Sequence, residues 1–126
     1  MNTPATLEAL HDTPRTDALL SDSHQHPLLL FKHSETCGTS MQAFEELEQY
    51  LADADPRIRH GLVTVQTDRE LSDHVAARLG VRHQSPQAIL ICRGEVVWTA
   101  SHHRITADAL RQAVGSALAN PAPALS

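Results

Sequence analysis

Lysine is nearly missing from this chain of 126 residues: Lys32 is the only one, and the ten lysines and arginines together are outnumbered by fifteen aspartates and glutamates. A formal charge of -5 leaves no cationic surplus to meet phosphates, which excludes an electrostatic nucleic-acid binder. The arginines are scattered rather than run together, so a polybasic membrane signal is missing too. Long apolar runs are also wanting. The longest, Leu28 to Phe31, is far too short to cross a bilayer. Met1 to Asp12 has no basic start followed by an apolar stretch, and so does not read as a secretory signal. Cysteine occurs only twice, at Cys37 and Cys92. Without an export signal that usage points to a reducing, cytoplasmic setting, where a lone cysteine is catalytic or inert rather than bridged. No internal repeat and no interdomain linker can be found.

What is present is ordinary for a globular chain: hydrophobic residues make up 41% and charged residues 20%. The length suits one domain over 1–126, large enough to bury a core without metal or disulfide staples. Its ordered part is expected over about 14–119. Met1 to Thr6 is small and polar, and Asn120 to Ser126 alternates Pro with Ala, so both ends are expected to be flexible. Nine histidines are many for this length and raise the question of a metal.

Between the ends the segments alternate in type. Arg15 to Ser23 reads as a short helix. Pro27 then opens Leu28-Leu29-Leu30-Phe31-Lys32-His33, a continuous apolar run of the kind found in a strand buried on both faces. Ser34 to Gly38 breaks it, and from Thr39 the residues Met41, Phe44, Leu47 and Leu51 recur at helical spacing. Gly61 to Gln66 is a second short strand. Asp68 is placed to cap a helix bearing Leu71, Val75 and Leu79, which Gly80 closes. Gln87 to Cys92 is a third strand, Arg93-Gly94 a tight turn and Glu95 to Thr99 its hairpin partner. Thr106 starts a last helix. The order α-β-α-β-α-β-β-α implies an α/β fold with a central mixed four-stranded sheet and helices on both faces.

Cys37 lies where a buried strand gives way to a long helix. The first N–H groups of a helix are unpaired and the helix dipole adds partial positive charge there, so a thiolate is stabilised and nucleophilic. Ser40, three residues on, is placed to donate a further hydrogen bond to the sulfur. Cys37-Gly38-Thr39-Ser40 is thus a C-x-x-S, with serine where a resolving cysteine could stand. The bland alternative is a buried cysteine acting as a small hydrophobe; the position at a strand-to-helix loop argues for reactivity. Ser85-Pro86 before the third strand strengthens the case. A proline opening a strand beside such a site is expected in the cis form, turning the preceding backbone groups toward a substrate.

The stretch from Asp68 through Val97 resembles the second half of thioredoxins. Phe31-Lys32-His33-Ser34, Thr36-Cys37, Ser40, Gln84-Ser85-Pro86-Gln87 and Trp98 followed by Ser101-His102 further resemble the monothiol bacilliredoxins of the bacillithiol system. The resemblance runs from about Pro27 to Val114. Members commonly read Thr-Cys-Pro-Ile-Ser at the active site; here Gly38 and Thr39 replace the Pro and Ile. The resemblance implies a thioredoxin-like fold and a thiol–disulfide oxidoreductase that removes bacillithiol from S-thiolated cytoplasmic proteins. Cys37 would be the nucleophile and Ser40 its helper, with Thr36, Gly38, Thr39, Ser85 and Pro86 around the substrate. It implies no bound cofactor, bacillithiol or another low-molecular-weight thiol serving as co-substrate.

Other candidates weigh less. Cys92, inside a strand, reads as a buried hydrophobe. His33 either raises the thiolate fraction of Cys37 or caps the strand end, and both readings stand. The remaining histidines have no zinc-ligand spacing and no cysteine pair to join, so no structural zinc site is expected. Cys-Gly-Thr-Ser also resembles the Cys-Gly-Phe-Ser of monothiol glutaredoxins, which hold an iron–sulfur cluster with glutathione. Those proteins carry a Gly-Gly/Asp turn after the hairpin where this chain has Ser101-His102-His103-Arg104. A binding module without turnover is the alternative from another class.

Overall fold

The computed structural model describes residues 7–119; both termini expected to be flexible lie outside them. The order is β1 (Leu7–Ala9), α1 (Thr13–Asp22), β2 (Leu28–His33), α2 (Gly38–Leu51), β3 (Arg59–Thr64), α3 (Arg69–Leu79), β4 (Gln87–Cys92), β5 (Glu95–Ser101) and α4 (Ala107–Ala119), with one 3-10 turn at His102–Arg104. The sheet has five strands in the order β1-β3-β2-β4-β5. Four were expected. The fifth, β1, runs parallel to β3 at the sheet edge, starting before the core boundary expected near residue 14. Its three residues are too few and too exposed to show a period in the sequence. None of the described helices is long and apolar enough to cross a membrane.

β2 is central, pairing parallel with β3 and antiparallel with β4. Side chains alternate across a strand, and both faces of this one are covered. Leu29 and Phe31 join Leu47, Tyr50, Leu90, Leu110 and Val114 beneath α2 and α4. Leu28 and Leu30 join Leu19, Leu20, Leu71, Val75, Ile89 and Ile91 beneath α1 and α3. Burial on two faces explains the unbroken apolar run, and each fully buried leucine contributes roughly 1.5–3 kcal/mol.

The same alternation fixes where the polar end of β2 points. Lys32 shares the parity of Leu28 and Leu30 and faces α3; His33 shares that of Phe31 and faces α2. Gly61, in β3, lies so close under its neighbours that a Cβ there would fall 2.7 Å from Leu10 Cδ1 and 2.9 Å from Leu30 Cδ2. Gly80 closes α3 at φ +67°, as its left-handed C-cap position requires.

Three local expectations shift. The buried stripe of α2 runs through Ser40, Ala43, Leu47, Tyr50 and Leu51, leaving Met41 52% exposed. β3 begins two residues earlier than expected, which puts Gln66 beyond its end. Asp68 does sit at the N-cap of α3 but makes no capping hydrogen bond; its carboxylate instead meets His11 Nδ1 at 3.0 Å.

Candidate active site

The C-terminal end of β2 and the N-terminal end of β4 lie side by side, since Lys32 pairs with Gln87. Two loops meet there. The first, Ser34 to Cys37, leads into α2 and leaves Cys37 at its N-cap, half-buried, with no side chain capping the helix. The Cys37 carbonyl accepts from the N–H groups of Ser40 and Met41 at 3.0 and 3.1 Å, closing the first turn. Gln66, two residues beyond the end of β3, braces this loop. Its amide Nε2 donates to Ser34 Oγ at 2.7 Å and Thr36 Oγ1 at 3.2 Å, and its Oε1 accepts from the Glu35 N–H at 3.0 Å.

Ser40 is fully buried and faces away from the role expected of it. Its Oγ accepts from the Ser34 N–H at 2.9 Å and pairs with His33 Nδ1 at 2.9 Å. A hydroxyl has one proton to give. With His33 neutral and Nδ1 accepting, that proton goes to the imidazole and not to the sulfur. Burial pushes the His33 pKa below its ordinary value, partly opposed by Glu35, which favours the neutral ring. The ring also packs against Phe44, centroids 5.1 Å apart. His33 is therefore no simple cap: it holds the hydroxyl that braces the Cys37 loop.

The second loop, Val81 to Pro86, is tied down from below. Lys32 is completely buried; its Nζ donates to the Ser72 carbonyl at 3.0 Å and to His83 Nδ1 at 3.2 Å. Burial lowers the Lys32 pKa, with Asp73 opposing. Gln87, buried as well, donates from Nε2 to the Arg82 carbonyl at 3.0 Å and accepts from the Gln84 N–H at 3.4 Å. The Ser85–Pro86 bond is cis. Ser85 Oγ is buried and has no hydrogen-bond partner among the described residues. The Pro86 carbonyl accepts from the His102 N–H at 3.2 Å, so the turn after the hairpin closes on this loop.

The structure thus gathers Thr36, Cys37, Gly38 and Thr39 on one loop and helix start, with Ser85 and Pro86 on the facing loop and His33 and Ser40 beneath. It adds Lys32, Gln66 and His83, which sequence reasoning did not single out as site residues. One signal was available: a lone lysine at a position whose neighbours are all buried must find partners inside. For Gln66 and His83 no local pattern exists, because each acts across more than 30 residues of chain (Ser34 for Gln66, Lys32 for His83).

Cys92 lies at the other end of β4, beyond the level of Leu28. Five strand steps separate it from Gln87, about 17 Å, whereas a disulfide needs Cα atoms within about 7 Å. Burial raises its thiol pKa. Among the described residues no three of His, Cys, Asp and Glu gather in a group that could hold a metal ion.

A family model described as Monothiol bacilliredoxin BrxC matches residues 8–110. Among solved structures, the chain is similar to one described as a candidate oxidoreductase with a thioredoxin fold, at 30% identity and a TM-score of 0.75, covering 86% of this chain and 93% of that one. It is also similar to thioredoxin from Trypanosoma brucei brucei (12% identity, TM-score 0.75, 93% and 95% covered). Spinach chloroplast thioredoxin F gives 17% identity and a TM-score of 0.69, with 94% and 99% covered. The last two likenesses establish the fold alone.

Proposed function

The chain belongs to the monothiol bacilliredoxin family and has the thioredoxin fold, and from that premise we propose that it removes bacillithiol from S-bacillithiolated cytoplasmic proteins through a mixed disulfide on Cys37. Its function is of the thiol oxidoreductase kind. The observation that carries the finer reading is the separation of the two thiols: Cys37 stands at a helix N-terminus at one end of the sheet, and Cys92 at the other end of β4.

The Cys37 thiolate attacks the bacillithiol sulfur of the substrate disulfide. A Cys37–bacillithiol bond forms, the protein–bacillithiol bond breaks, and the protein sulfur leaves as a thiolate that takes a proton from water. Cys37 stands at the N-cap of α2, where the first N–H groups of a helix have no partner within it. Thr36, Gly38 and Thr39 border the attacking sulfur; Ser85 and Pro86 form the facing edge for the substrate chain. No internal thiol can reach the adduct, so it waits for a second small thiol. The thiolate of a free bacillithiol attacks the adduct, releases bacillithiol disulfide and restores the Cys37 thiolate. No bound cofactor takes part.

A model protein carrying bacillithiol on one cysteine tests this. Mass spectrometry should find the adduct moved to Cys37, with no transfer in Cys37→Ser, since a serine hydroxyl is not ionised at neutral pH. Cys92→Ala should transfer as the native chain does. A main oxidised species linking Cys37 to Cys92 overturns the one-cysteine mechanism. Faster discharge of a glutathione adduct than of a bacillithiol adduct favours the glutaredoxin-like alternative, and partner binding that persists in Cys37→Ser without any transfer favours a binding module.

A further inference from the structure

Next to Pro86, on the side away from β2, an open cleft of about 530 Å³ lies between the Val81–Gln87 loop and the end of β5 with its 3-10 turn. That is the size of a small-molecule site. Its charged lining is of one sign. Arg82, Arg104, His102 and His103 line it with the polar groups of Gln84, Thr99 and Ser101, and no aspartate or glutamate does. In a chain with a charge of -5 this is unusual. Arg15, Arg57, Arg59 and Arg111 are each held by a carboxylate, whereas Arg69, Arg78 and Arg93, away from the cleft, are held by none among the described residues. The Arg82 and Arg104 guanidinium groups pair with none among the described residues. Both are exposed and can turn to a ligand.

The cleft is joined to the site in two ways. The His102 N–H bonds the Pro86 carbonyl, and Gln87 holds the Arg82 carbonyl. His102 and His103 also line a narrow crevice of about 60 Å³ with Thr39, two residues after Cys37. His102 takes φ +54°, a left-handed conformation uncommon for a side-chain-bearing residue, at the point where β5 turns back toward α2. Another cleft among the described residues, about 460 Å³ between β5 and α4, contains Cys92 and Trp98 and opens at the far end of β4. A group attached to Cys37 has no access to it.

We propose that the Arg82–Arg104 cleft binds the carboxylates of the small thiol while its sulfur is exchanged at Cys37. This rests on the reading of Cys37 as the exchanging thiol and names what determines which small thiol it takes. A guanidinium meets a carboxylate through two parallel charge-assisted hydrogen bonds. Bacillithiol and glutathione both bear carboxylates away from the sulfur; β-mercaptoethanol bears none. The cleft therefore selects adducts by the charge of their far end.

One model protein loaded in turn with bacillithiol, glutathione and β-mercaptoethanol provides the test. In Arg82→Gln/Arg104→Gln the ratio of kcat/KM for the bacillithiol adduct over the β-mercaptoethanol adduct should fall about tenfold, and Arg82→Lys/Arg104→Lys should recover part of it. An unchanged ratio overturns the proposal, including the case in which all adducts slow equally because the arginines meet the partner protein. A second measurement needs no thiol chemistry. Malate titrated into the native protein, against sodium chloride at equal ionic strength, should shift the NMR amide signals of residues 82–87 and 99–104. No shift there overturns the cleft. If malate shifts these signals but no adduct is ever discharged, the cleft stands and the exchange reading of Cys37 falls.

Discussion

Helix α2 carries a hydroxyl–histidine pair at each end, and the two are built from the same chemistry. Near its C-terminus the Tyr50 hydroxyl pairs with His60 Nε2 at 2.8 Å; in its first turn Ser40 meets His33 Nδ1 at 2.9 Å. The surroundings differ. Tyr50 and His60 are 1% and 4% exposed, sealed between α2 and β3, and burial drives the His60 pKa down to about 4 and the tyrosine's up. Neither side chain has another hydrogen-bond partner among the described residues. His33 is half-buried, the Ser34 N–H already donates to Ser40, and the thiol-bearing loop is one turn away. The first pair is a fixed core bond; the second joins a brace to a group that can change its proton. What separates structure from adjustment here is access to water, not residue type.

The largest effect should come from the sealed pair. The folded state holds His60 neutral, so between its ordinary pKa of 6.5 and about 4 the unfolded chain binds a proton that the folded one refuses. Stability is therefore intact above pH 6.5 and declines as pH falls toward 4, by about 3 kcal/mol for this one group. Urea unfolding across that range measures the decline, and His60→Gln should flatten it. An equal slope in His60→Gln would place the acid sensitivity elsewhere.

Removing only the hydroxyl should act in the same place. Tyr50→Phe leaves His60 Nε2 buried without its hydroxyl partner and should lower stability by about 1–3 kcal/mol, with thiol transfer per folded molecule unchanged. A loss of transfer would mean that the two pairs are coupled along the helix.

The open pair should behave the other way round. Ser40→Ala should lower stability by about 1 kcal/mol yet slow thiol transfer, because the Ser34 N–H and His33 lose the group that aligns the Cys37 loop. Below the lowered pKa of His33 its Nδ1 becomes a donor to Ser40 and frees the serine proton to turn elsewhere. The transfer rate should then show an inflection below pH 6.5 that His33→Gln abolishes. A profile identical in the two proteins would reduce His33 to packing.

The smallest effect concerns Gly38. It is the first residue of α2, and a Cβ there would meet nothing within 4 Å. Proline fits the first helical position, so Gly38→Pro should stabilise by roughly 0.4–1 kcal/mol through the unfolded chain. Thermal unfolding reads this directly.

Much of the fold was legible because β2 and β4 are covered on both faces, and continuous apolar runs from Leu28 and from Ala88 betray that without any knowledge of partners. Cys37 was legible for a related reason: a strand end meeting a helix start fixes the place of the residue between. The aim of Ser40 was not. Spacing put its hydroxyl near the sulfur, but the parity of β2 puts His33 on the same side, and a basic nitrogen with a fixed ring outcompetes a thiol for the single proton. β1 escaped because Leu7, Glu8 and Ala9 acquire a strand's identity only from His60 to Leu62 beside them. The cationic cleft draws Arg82 and Arg104 from separate loops, and neither is marked by its own neighbours.

The central place of β2 has a consequence for how the molecule opens. Strands bond it on both edges, and helices cover both its faces. Local openings draw on exposed, poorly packed segments, whereas backbone amides in a doubly covered middle strand trade hydrogen for deuterium only when the whole domain comes apart. The thiol thus sits at the end of the short loop that leaves the last element to let go. Partial opening can release β1 or the hairpin turn at Arg93-Gly94 without moving Cys37, and none of these excursions carries it toward Cys92. The mixed disulfide proposed on Cys37 would be kept single by the same rigidity that keeps the amides of Leu29 and Leu30 from exchanging.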